Sequence, residues 1–342
     1  MSSETRPAAA PVTFGEACSR FARWCAEQPW QAGLLAACVA TWAGFYFFVP
    51  IWVVGTQTTL RWALNAWTPS GEQFYGCFVL PVSIYLAWHH RARLCAAPKA
   101  GSMWGLACVA FGVAVFVIGA RCLQPRAALL SLPFLFYGVA LYLWGWRVAR
   151  IVLFPCVFLL FMVPVAALEQ ATFRLQFVIT GMIEFLSRLV GVKVQAIGTT
   201  LTARDGSFNF EIAEGCSGVR SLAAMSMITA IYVHLTQREL WKKIVVFGAS
   251  LLFAIVGNVG RLFTVILFAK FIDPEIASGL YHDYSGFFFF PIALMAMTGF
   301  SRLVNLDWRK AIDSAMTPEA PVAQTPAKPA EKPPGSVSSY DY

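Results

Sequence analysis

Charge is scarce in this chain of 342 residues: 13% are Asp, Glu, Lys or Arg, whereas 58% are apolar and 15% aromatic. That balance excludes an ordinary water-soluble domain of this length. A Gly-rich phosphate loop is missing, which argues against nucleotide hydrolysis, and so is any His, Cys, Asp and Glu cluster at metal-ligand spacing. Neither a cofactor nor a metal is therefore expected. Paired carboxylates within the apolar runs, of the sort transporters use, are absent too. No internal repeat is visible. The first 30 residues lack the short basic region and small-residue cleavage site of a signal peptide, so they are expected to be retained.

What remains is a set of apolar runs long enough for a bilayer core of about 30 Å, which needs about 20 residues per helical crossing. Eight are read at 34–54, 74–89, 103–119, 128–146, 149–168, 217–235, 244–269 and 286–300. The fold class is therefore an all-α polytopic membrane protein of about eight transmembrane helices. Residues 1–30 form a cytoplasmic segment and 31–310 the membrane domain; 311–342, rich in Pro and Ala without hydrophobic pattern, form a disordered cytoplasmic tail.

The formal net charge of +8 is spread over loops and not gathered on a face that would bind nucleic acid. With both termini inside, the inward loops hold Arg91, Arg93 and Lys99, then Arg147 and Arg150, then Arg238, Lys242 and Lys243, then Arg302, Arg309 and Lys310. The outward short loops hold fewer. That topology leaves 169–216 as an extracytoplasmic insertion before the sixth crossing. Its first half has helical periodicity interrupted by Arg174, Glu184 and Arg188, the pattern of an amphipathic interfacial helix over 172–192, with a ninth crossing as the competing reading. Its second half changes to β-branched and aromatic residues around "RDGS", which predicts a small β-hairpin.

Three residues stand out on the outer face. Cys216, in "EGCSGVRS", lies where the sixth crossing begins, and a helix N-terminus favours a thiolate. Ser217 and Gly218 leave that position open, and Arg220 adds positive charge one turn on. Arg261, in "GNVGR", is the one charge in the seventh apolar run, where a charge costs at least ~2.5 kcal/mol on insertion scales. It lies 17 residues, about 26 Å, beyond the run's inner edge. Asn258, three residues earlier on the same face, is placed to orient it, and Gly257 and Gly260 permit close helix packing. His282, in "YHDYSGF", is the one histidine assigned to the outer side, in a loop before the last crossing, with Asp283 and Tyr284 beside it. Each residue also has a plainer reading: Cys216 as a small residue at a crowded interface, Arg261 as a snorkelling side chain, His282 as a solvated loop residue. Together they supply a nucleophile, a donor for a developing oxyanion and a proton carrier.

In these motifs, their order on consecutive crossings and the eight-helix layout, the chain resembles the exosortase/archaeosortase family. The resemblance implies a cysteine transpeptidase or protease with Cys216, Arg261 and His282 as its catalytic residues, and Arg220, Asn258, Asp283 and Glu214 in support. It further implies exported substrate proteins whose C-terminal sorting signal joins a short motif such as Pro-Glu-Pro, a hydrophobic helix and a basic cluster. Membrane lipid and an acceptor amine or glycolipid complete the expected partners, and a bacterial inner membrane the location. The competing class is a transporter or non-enzymatic envelope-assembly factor, which predicts polar groups at mid-depth; crossings five to eight hold almost none.

Overall fold

The computed structural model describes residues 13–50, 57–68, 75–163, 166–211 and 219–306; the side chains of 166–173, 211, 219, 220 and 283 are not among those described. Two helices open it. α1 (Phe14–Glu27) begins at a capping box in which Thr13 and Glu16 each accept from the other's backbone N–H, and α2 (Pro29–Ala43) has proline at its first position. A π-helical turn, Gly44–Phe48, ends α2. α3 (Thr59–Ala66), α4 (Gly76–His89) and the short α5 (Arg91–Ala96) follow.

α6 (Trp104–Arg121) and α7 (Pro125–Trp144) form a tight antiparallel hairpin. Glycine makes it possible: a Cβ on Gly105 would lie 2.2 Å from the Tyr142 backbone N, and one on Gly138 would lie 2.8 Å from the backbone N of Val109. The chain then reverses through Gly145, at φ 81°, into α8 (Trp146–Phe158) and a 3-10 turn, Leu159–Met162. Tyr46 anchors this half by donating to the Ala128 carbonyl at 2.9 Å and sharing a short hydrogen bond with Ser131. Ser83 donates to the Pro155 carbonyl at 2.7 Å, joining α4 to α8.

The second half holds α9 (Ala166–Leu189), a three-stranded antiparallel sheet, α10 (Val219–Thr236), α11 (Leu240–Phe271), α12 (Pro274–Ile276), a π-helical turn Ala277–Tyr281 and α13 (His282–Val304). The strands β1 (Val194–Ile197), β2 (Thr200–Ala203) and β3 (Asn209–Glu211) pair in sequence order, with Val194 opposite Ala203 and Leu201 opposite Phe210. There are thus two hairpins where "RDGS" suggested one. The extra turn is at Gly198, whose φ of 67° suits glycine, and "RDGS" joins β2 to β3.

Among the described residues five helices are long and apolar enough to cross a membrane: Pro29–Phe48, Trp104–Arg121, Pro125–Trp144, Leu240–Phe271 and Tyr284–Val304. Gly76–His89 and Ser221–Thr236 are apolar but shorter, and the fifth expected crossing contains Pro155 and ends in the 3-10 turn. Helix α11, at 32 residues, is about 48 Å long and exceeds a bilayer core by roughly 18 Å. Its last turns are covered by protein: Val265, Ile266 and Ala269 are buried with Ile179 and Ile183 of α9 and Val194, Leu201 and Phe208 of the sheet. The amphipathic face of α9 is therefore spent on α11 and the sheet. Lys270, near the end of α11, forms a short ion pair with Asp205 in the β2–β3 turn.

Candidate functional site

The long helix α11 presents Arg261, its 22nd residue, toward the start of α13. His282 is not in a loop. Asp273 caps a new helical start at Pro274, accepting from the N–H groups of Glu275 and Ile276 at 2.7 and 3.0 Å, and the helical path continues through the π-turn into His282. Once these residues are helical, His282 and Ser285 share one face at i, i+3 spacing.

Both meet the guanidinium. Arg261 Nε donates to Ser285 Oγ at 3.0 Å, and Arg261 Nη2 lies 3.0 Å from His282 Nε2 and 3.3 Å from the His282 carbonyl. Ser285 is 5% exposed and donates onward to the His282 carbonyl at 2.9 Å. Because arginine only donates, Nε2 is the acceptor in this contact. The contacts use Nε and Nη2, leaving Nη1 without a partner among the described residues.

A second chain of hydrogen bonds steadies the backbone under Arg261. Tyr281 donates to Thr264 Oγ1 at 2.9 Å and Thr264 donates to the Arg261 carbonyl at 2.7 Å, while the Tyr281 ring stacks on Phe268 at 4.3 Å. Asn258, 5% exposed, lies on the same face of α11; the guanidinium takes its described partners from α13 instead.

Beside Arg261 runs a narrow cleft between α10, α11 and α13, lined by Ser221, Gly257, Asn258, Arg261, Gly286 and Ala293. About 20 Å³ of it accepts the centre of a water molecule, room for roughly one water. Gly257 and Gly260 set the close approach: a Cβ on the first would lie 3.4 Å from that of Ala293, and one on the second 3.3 Å from the Phe289 ring. Ser221, five residues after Cys216 in the chain, brings the start of α10 to this cleft.

Glu214 and Cys216 lie outside the described residues, and the side chains of Arg220 and Asp283 are not described. The structure thus joins Arg261 to His282 and brings Ser221 of α10 to the same cleft. Tyr284 does not support His282: it is 64% exposed and its ring pairs with Phe287. Ser285, Thr264 and Tyr281 are the residues that sequence reasoning passed over. The other three histidines gather at the far end of the bundle, with Nε2 of His90 and His234 3.1 Å apart and the His89 ring beside that of His90. No group of three or more His, Cys, Asp or Glu among the described residues is arranged to hold a metal ion.

The family model for transmembrane exosortases of the EpsH type matches residues 67–299 of the chain, which include every element of this site. No curated protein and no solved structure shows significant similarity.

Proposed function

Because the chain belongs to the transmembrane exosortase family, a family of membrane sorting transpeptidases, we propose that it cleaves C-terminal sorting signals of exported proteins with Cys216 as nucleophile. The observation that carries this reading is the 3.0 Å contact between Arg261 and His282 at a cleft shared with the start of α10. The substrate's hydrophobic helix docks against α10, α11 and α13, and its recognition motif, of the Pro-Glu-Pro kind, lies at the cleft on the extracytoplasmic side of a bacterial inner membrane. A neutral His282 takes the Cys216 thiol proton at Nε2 as Arg261 Nη2 turns from the ring to the substrate. The sulfur attacks the scissile carbonyl carbon, and the oxyanion accepts from the guanidinium.

Collapse of this adduct breaks the C–N bond, the imidazolium gives its proton to the departing amine, and an acyl thioester remains on Cys216. Water, or an acceptor amine such as that of a glycolipid, then adds to the thioester. His282 removes the attacker's proton and returns it to the sulfur. Arg220 and Glu214 flank the nucleophile in sequence and serve its electrostatics; Asp283 and Asn258 are assigned lesser, supporting parts.

The test is a gel shift of a co-expressed protein carrying such a tail. The parent chain should shorten the substrate, and Cys216→Ala, expressed to the same level in the membrane, should leave it full length. Processing retained by that variant would reject the nucleophile.

A further inference from the structure

At the end of the bundle opposite Arg261 is a larger cleft with a volume of about 500 Å³, lined by Arg20, Arg23, Trp24 and Glu27 of α1, Gln31 in the first turn of α2, and Lys99. Three cations face one carboxylate there. Among the described residues Arg20 and Arg23 make no ion pair or hydrogen bond, and Lys99 is engaged through its position 5.7 Å over the Trp24 ring. Positive charges brought together in excess of the one carboxylate repel one another and favour an anion between them.

The position of α1 says which anion. Trp24 is 6% exposed and packs on Trp144 at the inner end of α7, ring centroids 5.6 Å apart, so α1 is pinned across the end of the bundle. Phe14, Phe21 and Trp30 remain 71%, 52% and 84% exposed, apolar surface that suits the boundary between headgroups and acyl chains. The span Pro29–Phe48, formed by α2 and its π-turn and long enough to cross, starts two residues after α1 ends, so the cleft sits at headgroup level. We propose that this cleft binds the phosphate of an anionic phospholipid headgroup, with Arg20, Arg23 and Lys99 as the phosphate contacts and the aromatic face of α1 beside the acyl chains.

The purified full chain provides the test, read by native mass spectrometry of lipid-bound species against added phosphatidylglycerol or phosphatidylcholine. Phosphatidylglycerol should be retained in preference to phosphatidylcholine. The triple variant R20Q/R23Q/K99Q should weaken its binding roughly 100-fold, at about 1 kcal/mol per basic residue. Lys242→Gln with Lys243→Gln, a loss of two positive charges at the same end, should change it less than twofold. Equal retention of the two lipids by the parent chain, which needs no variant, would overturn the assignment. So would full binding by the triple variant, or inorganic phosphate protecting the chain from thermal unfolding as well as the lipid does.

Discussion

Replacing Ser285 by alanine removes a single oxygen, yet that oxygen accepts from Arg261 Nε at 3.0 Å and donates to the His282 carbonyl at 2.9 Å. At 5% exposure no bulk water replaces it. A hydrogen bond to a charged group contributes about 1.5–3 kcal/mol, so if Arg261 serves the transition state the variant should lose roughly 10- to 150-fold in turnover. Steady-state kinetics on a fluorescent sorting-signal peptide in detergent would separate the possibilities: the fall belongs in kcat and kcat/KM together, with KM nearly constant. Ser285→Thr, which keeps the hydroxyl, should recover most of the activity. In an Arg261→Lys background, Ser285→Ala should add little, since the two act as a unit. Undiminished kcat in Ser285→Ala, or losses that simply multiply, would refute the idea that the serine aims the guanidinium.

Arg261→Lys itself should cost about 100-fold or more in kcat/KM, because one ammonium cannot reach Ser285, His282 and substrate at once; near-normal turnover would confine the arginine to structure. Gly145→Ala should lower the thermal unfolding midpoint sharply, since φ 81° alone costs about 1–2 kcal/mol and the new Cβ would sit 1.7 Å from the Ala100 carbonyl oxygen. Gly248→Ala, whose Cβ meets nothing within 4 Å, should leave the midpoint unchanged or raise it. Burial, then His89 and Arg93, push the His90 imidazole below its ordinary value of 6.5. Its neutral form is the stabilised one, so stability should hold above pH 6.5 and fall as pH drops below it, where the unfolded chain takes up the proton first. His90→Gln should flatten that slope in thermal melts between pH 7.5 and 5.5; an unaltered slope would assign it to other groups.

Arg261 and His282 were legible because each violated its surroundings: one charge in an apolar run, and one histidine on the face where the topology left no other. Their contact at 3.0 Å follows from consecutive helices having adjacent ends. Ser285 lay in the same motif as His282 and was missed because "YHDYSGF" read as a loop, where i, i+3 spacing carries no meaning. The signal was upstream, in Asp273 and Pro274, a helix cap and first-turn proline ahead of that motif. The second hairpin was hidden for a similar reason: Gly198 was absorbed into one β-branched run instead of being read as its turn. Helix α11 looked like an ordinary span because composition alone does not distinguish lipid from an overlying sheet as the partner of Val265 and Ile266. Cys216 lies outside the described residues, and its assignment rests on the sequence.

The wide π-turn at Ala277–Tyr281 behaves as an angular offset built into the chain ahead of α13. A turn of this type holds one residue more than an α-turn, and each residue rotates the rest of the helix by about 100°. Shortening it by one would swing the imidazole and the serine hydroxyl off the guanidinium while leaving every apolar span its length. The alignment of Arg261, His282 and Ser285 is thus set by a phase that hydrophobicity profiles do not register.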